Sequence, residues 1–230
     1  MNRLHERDLR GHTKTGWLDS RHTFSFGGFS DPSRMGFRSL RVINEDHVIP
    51  GAGFGSHKHA DMEIITYVID GALRHEDSLG NGSIIKPGEI QRMSAGSGIT
   101  HSEMNASQTD PVHFLQIWVL PKERGTAPGY KQTALPAPED GWQLLASPDE
   151  SQPGVTIGQD MTLHRLALSD GQTAQRPIPA GHGGFIQVVD GIAKIGDERL
   201  VAGDGLEFEG PADWPIEAVS DIELLFFDLK

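Results

Sequence analysis

The chain has 230 residues, 37% of them hydrophobic, with 20 Lys+Arg against 32 Asp+Glu and a formal net charge of −12. Cysteine is absent, which excludes disulfides, thiolate metal ligands and cysteine nucleophiles. The acidic balance, with no basic run against it, argues against nucleic acid or an anionic membrane surface as a partner.

The opening segment MNRLHERDLRGHTKTG is too polar for the apolar core of a signal peptide. The longest apolar stretches, such as residues 224–227, fall far short of the ~18–20 residues of a membrane span. The cytoplasm is therefore the expected location. Further along, short runs rich in β-branched and aromatic residues predict strands: 64–69 (IITYVI), 113–120 (HFLQIWVL), 185–189 (FIQVV) and 223–229 (ELLFFDL). Turn signals separate them at Asp70-Gly71, Gly80-Asn81-Gly82, Lys86-Pro87-Gly88, Asp190-Gly191 and Ala202-Gly203-Asp204-Gly205. Helix signals are scarce, so the fold class expected is all-β, of sandwich or barrel type. Between about residues 121 and 153 prolines and glycines break the pattern, and a surface crossover between two halves is expected there.

The halves echo one another. Val68-Ile69-Asp70-Gly71 returns as Val188-Val189-Asp190-Gly191, and Lys86-Pro87-Gly88-Glu89 finds a counterpart in Val201-Ala202-Gly203-Asp204. Each half closes on a strongly apolar strand. The order and spacing of these features predict a duplicated β unit, with residues 1–125 as the first domain and 126–230 as linker and second domain.

Two of the places that hold the 11 histidines look arranged for chemistry. In Gly55-Ser56-His57-Lys58-His59-Ala60-Asp61-Met62-Glu63, a strand would turn His57 and His59 to one face, ~6.5–7 Å apart at Cα. In Ser97-Gly98-Ile99-Thr100-His101-Ser102-Glu103, His101 and Glu103 repeat that spacing after a glycine-rich turn. Either pair alone is as readily a set of solvated histidines. Both within one half point to a centre of neutral imidazoles and a carboxylate, suited to Fe, Ni, Cu, Mn, Co or Zn rather than Ca or Mg. His5, His12, His22, His47, His75, His113, His164 and His182 show no comparable pairing and are expected to be solvated or locally satisfied.

Gly51-x5-His57-x-His59-x3-Glu63 followed by Gly71 resembles the first cupin motif, and Gly88-x5-Ser94-x-Gly96 leading to His101 and Asn105 resembles the second. Ser94 stands where cupins usually have proline, and the histidine comes two residues later than usual. That longer turn before His-Ser-Glu is similar to the pirin family, as are Gly16-Trp17-Leu18-Asp19-Ser20, His22-Thr23-Phe24-Ser25-Phe26, Leu40-Arg41-Val42-Ile43-Asn44 and Gln116-Ile117-Trp118. The resemblance implies a bicupin, two jelly-roll β-barrels in tandem with metal only in the first. Shifting His57, His59 and Glu63 by the repeat offset meets Pro177, Pro179 and Gly183, so the second barrel has no ligands to offer. The resemblance also implies that the ligands of one divalent transition ion are His57, His59, His101 and Glu103, with Glu63 as the alternative carboxylate used by many cupins.

Some relatives of this kind are quercetin 2,3-dioxygenases. The activity implied is cleavage of a flavonol or similar enol by O2 with release of CO, Glu103 accepting the 3-hydroxyl proton and Phe24, Phe26, Phe54 and Met104 walling the pocket unless they are plain core. The resemblance leaves two other readings: a metal- and redox-responsive regulator that binds a protein partner, and a bicupin whose metal only holds the barrel together. A monomer is expected.

Overall fold

The computed structural model describes residues 2–137, 139 and 141–230, and its regular structure is almost entirely strand. The one helical turn among the described residues is a 3-10 turn at Arg7–Leu9, and no helix is long and apolar enough to cross a membrane. The apolar runs form the expected strands: Glu63–Asp70, Val112–Val119, Gly183–Asp190 and Ile222–Leu229. They lie near the centres of two large antiparallel sheets, and most of their residues are buried on whichever face they point to. This explains why they are continuous apolar runs instead of alternating ones.

The chain divides into two compact units. The first comprises residues 11–135 with 154–159, and the second the described residues of 2–10, 136–153 and 160–230. In the first, a seven-stranded sheet runs in the order Gly129–Ala134, Glu89–Ser94, Glu63–Asp70, Val112–Val119, Leu40–Val48, Leu18–His22, Gly11–Lys14. A four-stranded sheet, ordered Gly53–His59, Ile99–Asn105, Leu73–Asp77, Gly82–Ile85, completes its jelly roll. The second unit repeats the plan. Its large sheet contains, in order, Arg3–His5, Gly205–Glu209, Gly183–Asp190, Ile222–Leu229, Met161–Leu168 and Trp142–Ser147, and its small sheet is built from Thr173–Gln175, Pro215–Ala218, Ile192–Ile195 and Glu198–Val201.

The duplication extends to single contacts. Gly71 (φ 79°) ends its strand where an added Cβ would lie 2.5 Å from the Pro111 carbonyl, and Gly191 (φ 80°) does the same 2.0 Å from the Asp221 carbonyl. Both turns therefore run against the start of the closing strand of their own unit, an approach that only glycine permits. The stretch expected as a bare crossover instead contributes two strands. Gly129–Ala134 pairs with Glu89–Ser94, and Trp142–Ser147 with Met161–Leu168. Their pairing energy comes from distant partners, so the surrounding prolines conceal them.

Candidate metal centre

Strand Gly53–His59 leaves Lys58 exposed and turns His57 and His59 inward, as two-residue periodicity requires. Its neighbour Ile99–Asn105 alternates strictly, burying Ile99, His101, Glu103 and Asn105. His101 stands directly opposite His57, and Phe54 opposite Glu103. Three residue steps on one strand therefore span two on the other, a β-bulge at Gly55-Ser56. Without the extra residue Phe54 and His57 could not face the same side. Gly96 (φ 48°) shapes the turn before His101, where a Cβ would lie 2.2 Å from the Thr126 carbonyl.

The three imidazoles converge. Ring centroids are 4.8 Å apart for His57 and His59, 4.3 Å for His57 and His101, and 5.0 Å for His59 and His101. One nitrogen from each lies within 4.8 Å of the others. The Gly55 carbonyl is 2.8 Å from His57 Nδ1, so Nδ1 carries the proton and Nε2 keeps its lone pair for a ligand. Both ring nitrogens of His101 are buried with no hydrogen-bond partner, a costly state that a bound cation would relieve. Burial first, and then the neighbouring imidazoles, lowers His59 to about 4 and His101 to about 3. Both are neutral at pH 7, the form that binds metal. The residues present fit a borderline transition ion.

Glu103 belongs to the same strand face, but its carboxylate groups with His101 and His75 rather than with His57 and His59. It is fully buried, and burial pushes its carboxyl up to about 7 against the opposing hydrogen bonds. Gln116, from the large sheet, donates Nε2 to both carboxylate oxygens at 2.6 and 2.8 Å. The Thr66 hydroxyl donates to Gln116 Oε1 at 3.0 Å and so sets the orientation of that amide. Glu63 is engaged elsewhere, accepting from Ser94 Oγ at 2.9 Å with Arg92 Nε 4.0 Å away.

Two histidines expected to be incidental, His75 and His22, belong to the surroundings of this centre. His75 is buried opposite Glu103, stacked on Tyr130 and hydrogen-bonded to Asp77 at 3.2 Å. His22, Asn44, Gln116, Thr66 and Gln91 form one buried polar rung across five strands of the large sheet. His22 Nδ1 lies 2.8 Å from Asn44 Oδ1. His22, Asn44 and Gln116 lie in segments that carry the family resemblance, but their alignment in one rung depends on the pairing of separate strands.

His57, His59 and Glu103 line a cavity of about 540 Å³ together with Trp17, Phe26, Phe54, Gln116 and Trp118. This is within the ~300–1,000 Å³ of small-molecule sites. Trp118 meets His59 edge-on at 4.8 Å and Phe26 at 5.4 Å, and Trp17 meets Phe54 at 5.1 Å. Of the four expected wall residues, Phe26 and Phe54 line the cavity; Phe24 is buried in the core, and neither it nor Met104 is among the lining residues. In the second unit the equivalent interior is filled by Ile178, Ile186, Ile195, Phe208, Ile216 and Phe226. Among the described residues it holds no convergent group of histidines and carboxylates.

Residues 4–119 match the Pirin family model, and residues 144–229 match the model described as quercetinase C-terminal cupin domain. Quercetin 2,3-dioxygenase of Escherichia coli K12 is 46% identical over 226 residues, covering 98% of this chain and 97% of that one. A crystal structure of the bacterial pirin YhhW from E. coli in complex with nickel(II) superimposes with a TM-score of 0.95 at 45% identity, covering 100% of this chain and 99% of that one. The fold is also that of a quercetin 2,3-dioxygenase from Acinetobacter baumannii, with a TM-score of 0.81 at 22% identity over 99% of this chain and 85% of that one.

Proposed function

The chain belongs to the pirin family, and from that membership we propose that it is a metal-dependent dioxygenase, opening flavonols such as quercetin with O2 and releasing CO. On this reading His57, His59, His101 and Glu103 hold one divalent transition ion. The donor set admits Fe, Ni, Cu, Mn, Co or Zn, and the nickel(II) complex of the E. coli relative supports nickel among them. The observation that carries the reading is the convergence of three imidazoles, one with both nitrogens buried and unpartnered, beside an aromatic-walled cavity.

When bound, the ion supplies Lewis acidity toward the 3-hydroxyl oxygen of the flavonol. Glu103 accepts the proton of that hydroxyl at a carboxylate oxygen. Burial raises this carboxyl in the metal-free chain, and a bound cation would hold it in the ionised form that can accept a proton. Gln116 steadies the carboxylate through both of its oxygens. Trp17, Phe26, Phe54 and Trp118 offer ring faces and edges to a planar polycyclic substrate and exclude water from it. A monomer working in the cytoplasm, with no nucleic-acid partner, completes the proposal.

The test is to strip the protein of metal, reload it separately with Fe, Ni, Mn, Co and Cu, and add quercetin in air. The flavonol absorption should bleach, with O2 consumed and CO released. Absence of turnover with every metal removes quercetin as a substrate. A His59→Ala protein that unfolds would favour a metal that only holds the barrel together, and a partner captured only in one metal oxidation state would favour a regulator.

A further inference from the structure

The outer face of the large sheet in the first unit carries a second group of metal-binding side chains, which the proposed reaction does not use. Along strand Leu40–Val48, Asn44 and Asp46 are buried, while Glu45 is half-buried and His47 exposed. His47 stands opposite His113 on strand Val112–Val119, and the same rung continues to Asp19 on one side and Asp70 on the other. The two imidazoles are stacked, centroids 3.8 Å apart and planes inclined by 17°. Glu45, two residues from His47, reaches diagonally to His113, with Oε1 3.0 Å from Nε2.

One ligand atom from each of Glu45, His47 and His113 lies within 4.8 Å of the other two. With bonds of ~2.0–2.2 Å to nitrogen and oxygen, two adjacent ligand atoms on one ion stand ~3.0–3.5 Å apart. The Glu45–His113 contact already has that separation. Two imidazoles and one carboxylate form a borderline donor set that excludes Ca and Mg as preferred occupants, and the exposure of His47 leaves room for water to complete the coordination. Cations compete locally: Lys14 and His12 hold the Asp19 carboxylate at 2.9 and 2.8 Å, and Arg21 stands opposite Glu45 in register. Asp70, exposed beside His113, and the net charge of −12 tilt the field toward a divalent cation.

We propose that Glu45, His47 and His113 form a second site for Zn2+, Ni2+ or Cu2+, exchangeable with solvent and separate from the inner centre. It stands whether or not the chain cleaves flavonols. Equilibrium dialysis of the metal-stripped full chain against Ni2+, followed by elemental analysis, tests it. Wild type should hold two equivalents, and the double variant His47→Gln with His113→Gln one. The double variant should keep its circular dichroism and its bleaching of quercetin. A wild type holding one equivalent and a double variant holding none would also support the outer site, while removing the inner one. Equal uptake by wild type and double variant overturns the proposal. Cu2+ gives a second readout: the outer site should add a paramagnetic signal split by two nitrogens, absent from the double variant.

Discussion

Gln116 Nε2 lies 2.6 and 2.8 Å from the two oxygens of Glu103, and the Thr66 hydroxyl determines which way the amide points. The amide thus offsets part of the cost of keeping a carboxylate inside the barrel, where burial alone pushes it toward neutrality. Outer partners of this kind typically alter metal affinity by about 10–100-fold when removed. Gln116→Leu is accordingly expected to weaken metal binding by about that factor, measured by competition with a chromophoric chelator. Unchanged affinity would show that Glu103 needs no such support. His57 and His59 were legible as a pair from their spacing alone. Gln116 was not, because its tie to Glu103 crosses from one sheet to the other.

Single elements show the same division between local and distant information. Strand His-x-His and His-x-Glu patterns announce which residues share a face, since side chains alternate whatever the strand pairs with. The bulge at Gly55-Ser56 is visible only as a mismatch in pairing with Ile99–Asn105, so no inspection of residues 53–59 reveals it. Turns fall between these cases. Gly71 and Gly191 hold left-handed backbone against the closing strand of their units. Replacing either with alanine combines conformational strain of about 1–3 kcal/mol with a steric clash. Gly171 (φ 76°), with nothing within 4 Å of an added Cβ, isolates the conformational part. Chemical denaturation should rank Gly191→Ala as more damaging than Gly71→Ala, and both as more damaging than Gly171→Ala. Equal losses at all three would remove the close approach as a cause.

Two compact units, of which the first alone offers a metal centre among the described residues, should respond unequally to metal. A ligand present at a hundredfold excess over its dissociation constant stabilises the unit that binds it by about 2.7 kcal/mol. Scanning calorimetry with and without Ni2+ should therefore raise the transition of the first unit and leave that of the second in place. A uniform rise of both would mean that the units unfold as one. The β class, the duplication and the shared strand faces of His57 with His59 and of His101 with Glu103 were readable from the chain, because strand periodicity and repeat spacing are local properties; the preference for Glu103 over Glu63 came from the family resemblance. The tie of Glu103 to Gln116, the place of His75 beside it, the meeting of Glu45 and His47 with His113, and the membership of residues 2–10 in the second unit were decided by tertiary structure. Register and sheet order bring together residues from 13 to 68 positions apart, and no local pattern encodes which strand lies next to which.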